Sequence, residues 1–508
     1  MKRIMFKKAC LFGLAFMLAV APCACAGDKE GKASDSITIG IQQDIEESLD
    51  PHDMLAAGTK EIFFNVFEGL VKSDSEGNIV PAVASSVVKS DDGCTYTFEL
   101  REGIKFHDGT TVTADDIEYS VNKFADIENH NPSISAFSIV KEVNVKDEKT
   151  VEIVLAEPNN EFLSNLATVE AAIIPKNNAN PDGIAIGTGP YKYVSRTPME
   201  NVKMEKFEDY WGEKASIKNV TFKICTNTDT IPMELKGGNI DMITHLTNAQ
   251  RLQIDADNFV VYEGTMNLVQ ALYLNQNFEP FKDVRVRQAL CYAIDKKEIL
   301  TFVSDGRGTP IGSSIYPNFG KYYEDLSNMY PHDTEKAKEL LKEAGYPDGF
   351  SFTVTAPSNY PQHVDTAQVM AEEFKAIGVT MDISIVDWDT WLSETYVGRN
   401  FDATVIGVDA AQLTADSLLS RFESSAGDNF INYSNPEYDK AYSTALKEND
   451  DEKQTEDYKQ CAKILAEDAA NVYVQDLPEF VAMNKRFEGY VFYPMYVMDI
   501  SKIKPVEQ

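Results

Sequence analysis

The chain has 508 residues, 43% hydrophobic and 25% charged, which fits a soluble globular protein of two to four domains at roughly 100 to 200 residues each and argues against wholesale disorder or a polytopic membrane protein. Its 47 lysines and arginines face 80 aspartates and glutamates, a formal net charge of −33, so the basic footprint a nucleic-acid binder needs is missing. The same field favours amines and metal ions as partners, within a screening distance of about 8 to 10 Å.

Lys2, Arg3, Lys7 and Lys8 precede the apolar run ACLFGLAFMLAVAP, Ala9 to Pro22, the layout of a secretory signal peptide. The run is too short for a membrane span, which takes about 20 residues, so residues 1–25 read as an export segment, of which residues 1–24 are expected to be removed. The string VAPCACAGDKEGKASDS resembles a bacterial lipoprotein signal, with Cys25 after Ala24 as the lipidated N-terminus and Cys23 as the second candidate. Simple secretion, with Ala24, Cys25 and Ala26 as a small-x-small cleavage site, is the alternative. Residues 26–36 read as a polar tether. Farther on, Cys94, Cys225, Cys291 and Cys461 have no metal-ligand spacing and are expected as small buried thiols.

In Thr95 to Leu100, Tyr96, Phe98 and Leu100 alternate as in a half-buried strand, and a second short strand is expected at Ile104 to Phe106. Thr113 and Asp116 have capping-box spacing, with Ile117, Val121 and Phe124 on one helical face behind them. Asp283 and Asp333 can each cap a helix, the first burying Val286, Ala289, Leu290 and Ala293, the second Ala337, Leu340, Leu341 and Ala344. Phe350, Phe352 and Val354 alternate; Ala367, Met370, Ala371 and Phe374 repeat at helical spacing up to Gly378; Val379, Met381, Ile383 and Ile385 alternate again. This strand, helix and strand fit a βαβ crossover, hence an α/β region with a parallel sheet after residue 266.

No HExxH, GxSxG, GxxxxGK[ST] or EF-hand pattern occurs. Gly187-Thr188-Gly189-Pro190 reads as a turn, because a proline stands where a dinucleotide fingerprint opens its helix. The six histidines have no second ligand at helical spacing, and Asp115-Asp116 is explained by the helix dipole. No enzyme activity, cofactor or metal site is therefore expected.

Several stretches resemble family 5 of the bacterial extracellular solute-binding proteins, the peptide/nickel type that serves ABC importers. They are DGCTYTFELREGIKFHDGTTVTADDIEYSV (92–121), SLDP (48–51), GTGPY (187–191), DYWG (209–212), GGNID (237–241), LNQNFEPFKDVRVRQALCYAIDKKEI (274–299) and DTEKAKELLKEAGYPDGF (333–350). In this order they run from about residue 37 to the C-terminus.

The resemblance implies a two-lobe periplasmic-binding-protein-like α/β fold, hinged by two crossing segments, with an extra subdomain in the first lobe. The first lobe takes 37–80, 186–265 and 480–508, the subdomain 81–185 and the second lobe 266–479. Ligands of open α/β sheets bind beyond the carboxyl ends of strands, which points to Tyr360 after the strand at 350, Trp388 and Trp391 after the strand at 379, and Asp409 after the strand at 403. The aromatics can stack on or cover a ligand and Asp409 can pair with an amine; core packing and turn capping are the plain alternatives. Peptide-binding relatives commonly carry Gly-Trp followed by an Asp that receives the peptide amine. Here Gly407 is followed by Val408, with Asp409 and Asp416 out of register, so Asp416 is a further candidate. Glu47 and Ser48 before LDP, and Gly58-Thr59, are carried over from the resemblance as cleft residues. Arg285 and Arg287 belong to its fold signature and read as structural.

The function so implied is a non-catalytic receptor, monomeric and anchored by lipid to the outer face of the membrane or held in the periplasm. It would capture a di- or oligopeptide and deliver it to ABC permease subunits. A nickel or other metal chelate, or another non-peptide solute, is the alternative ligand, with His363 the only histidine placed near the cleft. A sensor built on the same fold is the alternative role.

Overall fold

A computed structural model describes residues 35–506, apart from 130, 131, 133, 411, 412 and 449. The expected signal peptide, Cys23, Cys25 and residues 26–34 lie outside the described residues. Ser36, expected at the end of the tether, already begins the first strand.

The chain first runs β1 (Ser36–Ile41), α1 (Ala57–Phe63), β2 (Ala84–Lys89), β3 (Thr95–Leu100), α2 (Ala114–Phe124), β4 (Val140–Val145), β5 (Thr150–Leu155), β6 (Tyr191–Thr197), β7 (Asn201–Lys206), β8 (Asn219–Ile224), β9 (Met242–Ile243) and β10 (Phe259–Thr265). Strands β2 to β5 form a four-stranded sheet in the order β2-β3-β5-β4. It has a core of its own, in which α2 buries Ile117, Val121 and Phe124 against Tyr96, Phe98 and Val151. The α2 capping box closes as the spacing requires: Asp116 accepts from the Thr113 amide at 2.9 Å, and its own amide donates to Thr113 Oγ1 at 3.3 Å. Ile104 to Phe106 is not a strand. Only Lys105 pairs, in an isolated bridge with Thr111, because Ile104 and Phe106 are drawn into the subdomain core from a turn.

The second lobe follows with β11 (Leu268–Leu274), α3 (Val284–Ala293), α4 (Lys296–Ser304), β12 (Thr309–Pro310), α5 (Thr334–Glu343), β13 (Ser351–Pro357), α6 (Pro361–Lys375), β14 (Thr380–Val386), β15 (Ala403–Asp409), α7 (Ala415–Leu419), α8 (Pro436–Lys447), α9 (Asp451–Glu467) and β16 (Asn471–Asp476). Its sheet order is β12-β16-β11-β15-β13-β14. Strands β13, β14 and β15 are parallel, as the βαβ reading requires, but β11 runs antiparallel to both β15 and β16. The sheet is therefore mixed. Both faces are covered, which β11 shows directly: Leu268, Leu272 and Leu274 enter one core and Val269, Ala271 and Tyr273 the other. Arg287 on α3 is buried and donates to the carbonyls of Phe281, Asp468 and Ala469, a structural role.

β17 (Pro478–Asn484) then returns to the first sheet, whose order is β10-β17-β9-β1-β8-β7-β6. Two short connections thus join the sheets: Met266 and Asn267 between β10 and β11, and Leu477 between β16 and β17. They run side by side, with the Met266 amide donating to the Leu477 carbonyl at 2.8 Å and the Leu268 amide to Asp476 at 3.1 Å. This crossing explains the antiparallel β11, which enters its sheet from the edge where β13, β14 and β15 end.

Cys225, Cys291 and Cys461 are buried thiols; Cys94 is half-buried rather than buried, and none of the four is in a disulfide. Among the described residues no helix is long and apolar enough to cross a membrane.

Candidate ligand-binding site

The parallel strands of each sheet finish where the two lobes meet. In the first lobe β1 runs parallel to β8 and β9, and its end delivers Gln42 and Gln43, while the end of β9 leads to His245. In the second lobe β13, β14 and β15 deliver Tyr360, Trp388 and Asp409. The gap is spanned directly: Tyr360 Oη donates to Gln43 Oε1 at 3.4 Å. Gly58 lets α1 approach, since a Cβ there would sit 2.5 Å from Gln43 Nε2.

Asp409 is half-buried at the last position of β15, opposite Leu268. Among the described residues its carboxylate accepts no hydrogen bond and makes no ion pair. Its charge nonetheless reaches across the cleft. Lys60 of α1 is ion-paired with Glu170 at 2.8 Å; burial works against its ammonium, but Glu170, and after it Asp409 and Glu46, raise its pKa. Tyr360 and Tyr496 are raised by burial, and Asp409 and Glu61 add to both.

On the first-lobe side His245 adopts a left-handed backbone, φ 58°. Its Nδ1 lies 2.7 Å from Glu479 and its Nε2 3.0 Å from Glu61. The ring stacks on Tyr496 at 4.7 Å and 4°. Burial opposes the charged ring, yet the two carboxylates outweigh it and raise the pKa well above 6.5, so His245 is an imidazolium. No spacing in the sequence signals this group, because its carboxylates lie 184 and 234 residues from it.

The second-lobe side is aromatic. Tyr360 meets Trp388 edge-on at 5.6 Å, Trp388 stacks on Trp391 at 5.1 Å, and Trp391 on Tyr396 at 5.9 Å. Tyr360 and Trp388 are half-buried at the cleft. Trp391 is instead a core residue, 4% exposed, with Nε1 donating to Thr404 Oγ1 at 3.0 Å; three positions along the same helical turn place it behind Trp388.

The other expected contacts separate from this group. Asp416 is buried and accepts from Tyr442 Oη. It neighbours Glu161 of the subdomain, which accepts from the Ala415 amide at 3.1 Å and Tyr458 Oη at 3.2 Å. Burial, then Asp416, pushes the Glu161 carboxyl up to about 8. Ser48 Oγ is committed to Asp182 at 2.7 Å and Glu47 is exposed; no contact among the described residues joins either to Tyr360, Trp388 or Asp409. His363 is also removed as a metal ligand. Its Nε2 accepts from the Gly407 amide at 3.1 Å, its Nδ1 lies 2.9 Å from Gln270 Nε2, and burial lowers its pKa to about 3. Among the described residues no three His, Cys, Asp or Glu side chains are set to hold a metal ion.

Bacterial extracellular solute-binding proteins, family 5 Middle, match residues 78–430, well over half of the sequence. The chain belongs to this family. Glutathione-binding protein GsiB of Pectobacterium atrosepticum is 27% identical to it over 464 residues, 88% of this chain and 90% of that one. ABC transporter substrate-binding protein CtaP of Listeria monocytogenes superposes with a TM-score of 0.82 at 27% identity, over 94% of this chain and 100% of that one. The binding protein AgaA of A. tumefaciens R10, solved with agropinic acid, gives 0.82 at 26%, over 93% and 99%. Family 5 membership makes this a two-lobe, extracellular solute-binding protein of the kind that serves transport.

Proposed function

We propose that this protein is the receptor of an ABC importer for short peptides, and that Asp409 receives the ammonium of the ligand. The observation that carries the reading is an uncompensated carboxylate at the carboxyl end of β15, between two lobes, with no partner of its own among the described residues. A half-buried carboxylate without a hydrogen bond is costly, and a ligand ammonium is the group that offsets the cost. Trp388 and Tyr360 then cover the ligand from the second lobe, and Gln43 and Lys60 face it from the first. The same reading fits the relatives: glutathione, the ligand in the name of GsiB, is a tripeptide, and CtaP is named an ABC transporter substrate-binding protein.

Closure is a hinge motion at Met266-Asn267 and Leu477, the two short connections between the lobes. The lobes are 37–80, 186–265 and 478–508 against 268–476, with 81–185 as the extra subdomain; the second crossing falls at Leu477 and not at 479–480, because β17 begins at Pro478. Cys25 carries the lipid that holds the receptor, as a monomer, beside its permease subunits. The protein has no catalytic role. AgaA, whose ligand is agropinic acid, favours one second reading, a small non-peptide solute in the same cleft.

Native mass spectrometry of the protein purified from rich medium, before and after denaturation, tests the assignment. A ladder of di- to oligopeptide masses in the wild type that is lost in Asp409→Asn is the expected result. A single non-peptide mass retained by the variant would overturn both the ligand class and the role of Asp409.

A further inference from the structure

The subdomain is held to the first lobe at several points. The His107 amide donates to the Gly187 carbonyl at 3.0 Å and the Ile173 amide to that of Glu68 at 3.0 Å. His52 Nε2 lies 2.9 Å from the Ala172 carbonyl, and Lys123 is ion-paired with Asp50. The subdomain therefore moves with that lobe. It also touches the second lobe, where Asn160 Nδ2 donates to the Glu448 carbonyl at 3.4 Å. Next to Asn160, Glu161 is fixed from behind: its amide donates to Asn159 Oδ1 at 2.7 Å, Tyr96 Oη donates to the Asn159 carbonyl at 2.8 Å, and Phe162 is buried in the subdomain core against Tyr96 and Phe137.

The Glu161 side chain crosses the boundary. Its carboxylate accepts from the Ala415 amide of α7 at 3.1 Å and from Tyr458 Oη of α9 at 3.2 Å. Asp416, the residue after Ala415, is buried with it and accepts from Tyr442 Oη of α8. The titratable side chains facing the two acids are Tyr322 from the 3-10 turn Pro317–Tyr322, Asp428 beyond the turn Ser420–Phe422, Tyr442 and Tyr458. Farther out, Cys461 acts on Tyr442 and Asp451 on Tyr322. Lys89 and Lys321 are engaged elsewhere, the first donating to Asn160 Oδ1 at 2.8 Å and the second paired with Asp451. Among the described residues neither acid has a cation within ion-pair distance. The neutral donors favour ionised carboxylates, but burial first, and Asp416 after it, outweigh them and push Glu161 up to about 8. Two buried acids without a cation thus hold a proton between them.

We propose that Glu161 and Asp416 form a proton-operated latch on lobe closure. Closing brings Glu161 of the subdomain against Asp416 of the second lobe and takes up one proton from solvent onto the pair. Opening returns both carboxyls to water, where they ionise and the proton is released. The receptor therefore holds its closed form, and with it the ligand, more firmly in acid than in alkaline surroundings. The latch deepens the receptor reading and rests on its hinge at Met266-Asn267 and Leu477. By linkage, a carboxyl raised in the closed form favours that form fully below its ordinary 4.5, and the advantage is lost as pH rises through about 8. Inside that window closure weakens by up to about tenfold per pH unit, and binding that requires closure weakens with it.

Small-angle X-ray scattering of the purified protein, stripped of ligand and measured from pH 5 to 9, reads the latch directly. Wild type should have closed dimensions at pH 5 and a larger radius of gyration as pH rises, passing from mostly closed to mostly open within about two pH units, as a tenfold change per unit requires. Glu161→Gln keeps an acceptor for the Ala415 amide and has no proton to release, so it should stay closed throughout. Asp416→Asn removes the second of the two causes that raise Glu161 and should open less than wild type. Constant wild-type dimensions across the range, a pH response retained in Glu161→Gln, or a Glu161→Gln protein already open at pH 5 overturns the proposal. If Glu161→Gln does not fold, Asp416→Asn decides: reduced opening supports the latch, and opening equal to that of wild type refutes it. The scattering needs no ligand, so flat curves would sink the latch and leave the receptor reading standing, whereas a protein that carries no ligand mass would sink that reading and leave the curves intact.

Discussion

Glu161→Gln is the perturbation whose size follows most directly from the structure. Glu161 is 4% exposed and Asp416 9%, and around them stand the tyrosines 322, 442 and 458, with Asp428 acting on Asp416. Among the described residues no cation pairs with either acid, so burial and the neighbouring carboxyl push Glu161 from 4.5 to about 8, and burial raises Asp416 as well. The folded protein therefore holds a proton that the unfolded chain releases. A carboxyl with a raised pKa favours folding below its ordinary value, and that advantage is lost as pH rises through the folded value. The window is from about 4.5 to about 8, and one proton changes stability by about 1.4 kcal/mol per pH unit within it. Glutamine mimics the protonated acid and has nothing to release. Urea unfolding of both proteins at half-unit steps from pH 5 to 8 should show similar stabilities at the acid end. The variant should then gain on the wild type toward pH 8, by up to about 1.4 kcal/mol per unit. Parallel curves for the two proteins would refute the assignment of the proton to Glu161. Glu161 belongs to the subdomain and Ala415, Asp416 and Tyr458 to the second lobe, so the same proton favours contact between them at low pH.

Trp391→Ala should cost about 3–5 kcal/mol, since it empties a core position and removes the donor to Thr404 Oγ1, whereas Trp388→Ala should leave the melting temperature nearly unchanged and weaken ligand binding; equal melts for the two would contradict the division between core and cleft. His245 should remain an imidazolium at pH 8, visible as an NMR titration of its Cε1 proton displaced upward, and a midpoint near the ordinary 6.5 would sink the two-carboxylate account. By sign, its pairing with Glu61 and Glu479 stabilises the fold fully below about 6.5 and is lost only as pH passes the raised value. His245→Leu, which abandons both carboxylates in a buried site, should cost about 3–5 kcal/mol at neutral pH, measured as a lower unfolding midpoint.

Local signals in the chain carried the second lobe's elements far. The alternation at 350–354 and 379–385, the helical repeat between them and Gly378, with φ 79°, became β13, α6 and β14 in the expected parallel register. The Thr113–Asp116 box and the Asp283 and Asp333 caps formed as spacing requires, because capping depends only on residues within one turn. Asp409, Tyr360 and Trp388 could be named because ligand sites in parallel sheets sit at strand ends, and strand ends are local.

The mixed order of the second sheet was not legible, because alternation on β11 marks two buried faces without saying which strand lies beside it. Neither was the choice between Trp388 and Trp391, three positions apart on one helical turn, one facing the cleft and one the core. The charges of the cleft are the extreme case. Glu61, His245 and Glu479 act on one another only once folding brings them within screening range, about 8 to 10 Å, and nothing in their spacing along the chain encodes that. The amino-acid sequence by itself determined the family, the helices and strands and the strand-end acid, all properties of short segments; the pairing of distant charges, and which polar groups were left without partners, was decided by tertiary packing alone.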